Sequence, residues 1–285
     1  PHTSPHLPTP LRTSPHLPTP PHASPHLPIS LQDSVYISSF LDAAPLQAML
    51  LDERLRRLLC MRSRVKEVSE ASSMCEAVRS LAGAERMSSG GEGMVVFDVC
   101  SGKGLGATLL SFLLPRGRVV MLDSNGGMDL SHLRARPNLS FRHVDLFSAD
   151  TPAVLREEAS GASYVVAVGM HLCGALSPRL IDLAVAGGTI DAMALCPCCL
   201  KGAHGKAVAR SAAERSVEPY AVLVETLQAI CEREIEAAAA GGGARSRVGV
   251  WTDREMLSPK NRYITVQKWA ADKAAPDVAL CQACA

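Results

Sequence analysis

The feature that most restricts the fold is an alternation that begins at Met94. Short apolar runs such as MVVFDV, RVVMLD and YVVAVGMH give way each time to a turn and then to apolar residues spaced three and four apart. Runs of about six such residues are too short for a buried helix and have the near-continuous apolarity of strands covered on both faces. Strands that alternate with helices run parallel, because each crossover helix carries the chain back to the starting edge. The expected strands are Met94–Val99, Arg118–Asp123, Ser140–Asp145, Tyr164–His171, Ala192–Cys196, Ser246–Thr252 and Tyr263–Lys268. Helices are expected at Gly106–Leu114, Leu130–Ala135, Pro152–Ala159, Pro178–Ala186 and, as one long element, Val208–Ala239. The fold class that follows is α/β: a seven-stranded, mostly parallel sheet with helices on both faces. A chain of 285 residues with 47% hydrophobic content has enough apolar surface to bury it.

Before this region the pattern differs. Residues 1–30 repeat a decamer of the form PHTSPHLPTP and hold ten of the nineteen prolines. With so few amide donors they support neither helix nor ladder, and 1–32 are expected to form a disordered leader. Its lack of acids leaves organelle targeting open, while its single Arg argues against it. Residues 33–90 are expected to be a helical extension, with Leu51, Leu55, Leu58 and Leu59 at helical spacing and the pattern ending near Gly83. The α/β domain is expected over 91–270 and a flexible tail over 271–285. AAAAGGGA, 237–244, reads as a surface loop.

No apolar run has membrane-spanning length and no secretory segment is apparent, so no membrane partner is expected and the expected setting is intracellular. The ten cysteines are then read as reduced thiols. A formal net charge of +1 provides no global field for nucleic acid, so any RNA contact has to be local. Arg54, Arg56, Arg57, Arg62, Arg64 and Lys66 make the candidate basic patch, which a solvated helix face explains equally well. The oligomeric state is left open.

VVFDVCSGKGLGATLL, Val95 to Leu110, carries the chemistry. In open parallel sheets ligands sit beyond the carboxyl ends of the strands, where the strand order reverses. Gly102, Gly104 and Gly106 permit a turn close enough for a ligand to touch backbone, just ahead of a helix start. A phosphate-gripping loop is excluded, because Lys103 is followed by Gly104 instead of Ser or Thr. A dinucleotide fingerprint can be drawn through Gly102, Gly104 and Ala107, so the glycines alone do not decide. The acids discriminate better. Asp98, closing the first strand, would repel a pyrophosphate and hold a cationic amino group. Asp123 closes the second strand, where a carboxylate accepts ribose hydroxyls, and Asp145 closes the third, where one receives an adenine amino group.

Over Val95 to Lys268 these residues resemble the class I S-adenosylmethionine-dependent methyltransferases, which implies a Rossmann-like sheet. HLCG at His171–Gly174 and CPCC at Cys196–Cys199 are similar to a branch that includes the enzyme methylating ribose in the tRNA acceptor stem, and SPKNRYITVQK resembles that branch's closing strand. The resemblance implies S-adenosyl-L-methionine as cofactor, held by Asp98, Cys100, Ser101, Gly102, Lys103, Gly104, Asp123, Ser124, Asp145 and Leu146. It implies methyl transfer to an acceptor heteroatom, with RNA favoured and His171 as the base or orienting group. Cys100 stands where the family usually has its first turn glycine. For Cys198 and Cys199, beside Cys173, four roles stay open: lining that shapes the acceptor slot, zinc binding with His171 or His204, covalent addition of Cys198 to a pyrimidine, and small buried core residues. Lining without a metal is the expectation, because adjacent thiols on an extended chain point apart. No paired CxxC knuckle is read here, and Cys281 and Cys284 form a CxxC at the terminus. The rival classes are a nicotinamide-dependent oxidoreductase and a methyltransferase-like scaffold that binds RNA or protein without turnover.

Overall fold

The computed structural model describes residues 34–60, 63–200, 202–240 and 244–269. The leader, Arg62, and the tail with Cys281 and Cys284 lie outside the described residues. Among those described, seven strands form one sheet: β1 (Met94–Val99), β2 (Arg118–Asp123), β3 (Leu139–His143), β4 (Tyr164–Leu172), β5 (Ala192–Pro197), β6 (Arg245–Thr252) and β7 (Arg262–Trp269). Their order is β3-β2-β1-β4-β5-β7-β6. The first five run parallel and β7 is antiparallel to both neighbours. The order reverses between β1 and β4, so the crevice at their carboxyl ends is the switch point. This is the α/β, Rossmann-like arrangement expected from the alternation.

Side chains alternate across the strands and divide the core into two layers. Val95, Phe97 and Val99 pack with Leu155 of α6 (Thr151–Glu158), Leu180 of α7 (Leu176–Val185), Val208 of α8 (Gly202–Arg215) and Leu227 of α9 (Pro219–Ala240). Met94 and Val96 face the other side, against Val78 and Leu81 of α4 (Arg64–Ser88) and Leu110 of α5 (Leu105–Leu113). α1 (Val35–Asp42), α2 (Ala44–Leu51) and α3 (Glu53–Arg56) close a third cluster, in which Phe40, Met49 and Leu55 meet Val68 of α4 and Leu109 of α5.

Polar bonds fasten α4 to the far end of the chain. Ser69 Oγ accepts the Leu257 amide at 2.8 Å. Asp253, fully buried, accepts from Tyr36 Oη at 2.6 Å and from the Ser73 hydroxyl, and Ser73 Oγ lies 2.9 Å from Tyr263 Oη. Gln267 Nε2 and Tyr164 Oη both donate to the Leu81 carbonyl.

Several local expectations are corrected. The long helix from Val208 is two: α8 ends at Arg215 and α9 starts at Pro219. Proline has no amide to continue the ladder and disfavours helix at the residue before it. Ser216 turns to φ 53° there, with its amide on the Ala213 carbonyl and the Val217 amide on that of Ala212. Leu130–Ala135 is a short 3-10 turn, Ser131–Ala135. The helical pattern before Gly83 is broken into α2, α3 and α4, and α4 continues past a non-helical Gly83 to Ser88. Ala237–Ala240 belong to α9, and 241–243 lie outside the described residues. β3 ends at His143, so Asp145 sits in the turn beyond it, where its carboxylate accepts the Phe147 amide. Local side-chain capping of this kind competes with extension of a strand. No helix among the described residues is long and apolar enough to cross a membrane.

Candidate functional site

A cavity of ≈ 510 Å³ opens at the carboxyl ends of β1 and β4, walled by the turn after β1, the end of β4 and one face of α4. The turn is built from left-handed residues: Cys100 at φ 57°, Gly102 at φ 53° and Gly104 at φ 79°. A Cβ on Gly104 would stand 2.4 Å from Met121 Cε, so the turn rests directly on β2. Cys100 occupies a conformation that costs a non-glycine residue about 1–2 kcal/mol.

Asp98 reaches the cavity from β1 and is 4% exposed. Burial pushes its carboxyl up to about 7; the Ala107 amide at the start of α5 opposes that rise and the negative Asp123 adds to it. Asp98 forms no ion pair among the described residues, so its anion has no cationic partner there. The Ser101 hydroxyl is buried without a hydrogen-bond partner, and nothing stands within 4 Å of a Cβ built on Gly102. A buried acid, an unpartnered hydroxyl and open space over the turn fit a ligand with an ammonium and polar groups, as S-adenosylmethionine has.

On the opposite wall, His171 Nε2 lies 2.6 Å from Glu70 Oε1, which also receives Lys66 Nζ at 2.7 Å. Glu70 is buried, and burial by itself would raise its carboxyl. The bonds from His171 and Lys66 outweigh that and hold it below its ordinary range. His171 has φ 60°, where the pairing of β4 with β5 shifts register between Met170 and Leu172. Beneath it, Cys173 Sγ and Cys198 Sγ are 3.1 Å apart, and both donate to the His171 carbonyl, at 3.4 and 3.3 Å. Burial, then the Cys173 and Cys199 thiols beside it, pushes the Cys198 thiol above its ordinary range. The Cys173, Cys198 and Cys199 sulfurs lie within 4.8 Å of one another. The adjacent thiols therefore do not point apart: β5 ends at Pro197, and beyond it the alternation of a pleated strand no longer holds.

Of the residues singled out in the sequence, Asp98, Cys100, Ser101, Gly102, Lys103, Gly104 and His171 line this one cavity. Asp123 stands behind the turn, accepting the Gly102 amide at 3.0 Å and the Asn125 amide at 2.9 Å. Ser124 is exposed, with its carbonyl 2.9 Å from His143 Nε2. Asp145 is exposed in its turn, and Leu146 is buried with its carbonyl bonded to Arg179 Nε. Cys198 adjoins the cavity through the His171 carbonyl, with Cys199 beside it, and the His204 side chain lies outside the described residues. Of the wall contributed by α4 and its N-cap Ser63, only Lys66 was singled out from sequence, as part of the basic patch; Glu67, Glu70, Ala71 and Met74 were not. The wall's one available signal was the Lys66–Glu70 spacing of four on a helix. The basic patch is partly neutralised within the chain, since Arg54 pairs with Asp52, Arg57 with Glu53 and Asp129, and Lys66 with Glu70.

Comparison with known proteins matches residues 63–204 to a family model described as a methyltransferase domain. Comparison with curated proteins finds no match. Among solved structures, the chain is similar to a fibrillarin pre-rRNA processing protein of Methanococcus jannaschii (13% identity, 62% of this chain and 66% of that one, TM-score 0.38). It thus spans just under two thirds of that protein's length. It is also similar to the plantazolicin methyltransferase BpumL in complex with SAH (11%, 84% and 99%, TM-score 0.43) and to a precorrin-6y C5,15-methyltransferase from Geobacter metallireducens (13%, 75% and 91%, TM-score 0.35). The walls of the cavity at the switch point fall within residues 63–204, the stretch that matches the methyltransferase-domain model.

Proposed function

We propose that this domain methylates a heteroatom of an RNA acceptor. The observation that carries the reading is the composition of the cavity: a buried, unpaired Asp98 at one wall, the Glu70–His171 pair at the other, and Lys66 and Lys103 beside them. Bound S-adenosylmethionine supplies a methyl group on a sulfonium sulfur, whose departure leaves a neutral thioether. Asp98 holds the ammonium, and the turn from Cys100 to Gly104 brings backbone close to the ligand. Asp123 takes a positioning role, since its carboxylate already braces the Gly102 amide. Glu70 accepts the Nε2 proton of His171, which leaves Nδ1 to accept a hydrogen bond from the acceptor's O–H or N–H. Catalysis then consists mainly of proximity and alignment, with proton removal as an addition. Lys103, exposed at the turn, supplies local positive charge for a phosphate backbone while the overall charge stays near zero and Lys66 is paired with Glu70.

The test is transfer of labelled methyl from S-adenosylmethionine to separated RNA, protein and metabolite pools. Label is expected in RNA, lost with Asp98→Ala and strongly reduced with His171→Gln. Label confined to protein or metabolites overturns the RNA reading. Cofactor binding with no transfer to any pool points to a scaffold, and binding of NAD in preference to S-adenosylmethionine points to an oxidoreductase.

A further inference from the structure

We infer that Cys173, Cys198 and Cys199 form a three-thiolate site for a soft divalent cation, zinc, at the carboxyl ends of β4 and β5. The three sulfurs lie within 4.8 Å of one another, with one pair 3.1 Å apart. Tetrahedral zinc with Zn–S bonds of about 2.3 Å spaces its sulfurs about 3.8 Å apart, so each pair needs a change of about 1 Å or less. Side-chain rotation supplies that without moving the sheet.

Two backbone features build the triangle. The register shift and left-handed His171 at the end of β4 bring Cys173 beside the end of β5. The end of β5 at Pro197 frees the next two residues to gather on one side. All three thiols are half-buried, so an ion from solvent can reach them.

Thiolate ligands favour zinc over magnesium or calcium, which take oxygen ligands. Loading breaks three S–H bonds, forms three S–Zn bonds and releases three protons to the buffer. Three protein ligands leave a fourth position for an exogenous ligand, unlike a closed four-cysteine knuckle. His171, whose carbonyl touches two of the thiols, also lines the cavity, which places the metal at its wall.

The full chain, purified without chelator, is assayed for metal by plasma mass spectrometry, stripped, and titrated with Zn²⁺ against a chromophoric chelator and with Co²⁺ by absorption. One zinc per chain, proton release on loading and a thiolate-to-cobalt charge-transfer band are expected. Cys173→Ser, Cys198→Ser and Cys199→Ser should each weaken zinc by at least about tenfold, the lower end of what loss of a mere supporting group costs. Cys60→Ser, at an exposed position, should not. Circular dichroism and thermal melting verify that each variant is folded. Substoichiometric zinc after both purification and titration overturns the site, as does unchanged affinity in folded Cys198→Ser. So do dependence on Cys281 or Cys284, and a Cys173–Cys198 disulfide in place of metal. Because metal is read without substrate, failure here leaves the methyl-transfer reading intact.

Discussion

At Asp98 the needs of the fold and of the ligand oppose each other. Burial raises its carboxyl to about 7, so the neutral acid is the form the empty fold prefers. The unfolded chain ionises near the ordinary 3.8, so this group's contribution to stability is complete below about pH 4 and is lost as pH rises to about 7. The loss is on the order of 4 kcal/mol, at 1.36 kcal/mol per unit. Urea unfolding of Asp98→Asn at stepped pH should lack that slope. An ammonium ligand instead requires the anion. Cofactor affinity measured by calorimetry should therefore fall about tenfold per unit below pH 7, with a weaker and flatter profile in Asp98→Asn. A slope that persists in the variant would assign the titration elsewhere. Across the cavity, Glu70→Gln should lower kcat by about 10–100-fold with little change in KM, and Glu70→Asp should restore part of it, because Glu70 acts through the ring of His171. At Cys100, Val should cost about 1–2 kcal/mol in urea unfolding even though it is as apolar as cysteine, because a β-branched residue fits φ 57° poorly.

Among the elements, β1 and β2 have the boundaries read from sequence, since each is a continuous apolar run stopped by a strand-end acid or a tight turn. The break between α8 and α9 was passed over because residues on both sides keep a helical spacing and only Pro219 interrupts it. The geometry there closes α8 with paired backward bonds from Ser216 and Val217, a helix ending that normally uses glycine. Ser216→Gly should raise stability by about 0.5–1 kcal/mol in chemical denaturation, the left-handed cost less the added entropy of an unfolded glycine. A drop would mean that the serine side chain contributes to the turn. The cysteine cluster was legible as a set of residues and illegible as a triangle. Its shape depends on where β5 stops, which Pro197 marks, and on a register shift in β4, which has no residue signature.

At the scale of the molecule, the turn after β1 was readable because its ligand-facing residues are contiguous, whereas the opposite wall comes from a helix that precedes the sheet. Glu70 is 101 residues from His171, and nothing in the local pattern of either names the other. What holds α4 in place is farther still. Asp253 joins α1, α4 and the segment before β7, so Asp253→Ala removes a charged acceptor from the Tyr36 and Ser73 hydroxyls and should cost about 2–5 kcal/mol. Cofactor affinity should fall with it in calorimetry if the α4 wall loosens. Those same contacts set an order of events in the cell. Ser73 leaves the ribosome 190 residues ahead of Tyr263, so β1 to β5 can assemble co-translationally while α4 still lacks its bonds to Asp253 and Tyr263. A nascent chain therefore completes the α4 wall of the cavity only as the β6–β7 hairpin emerges.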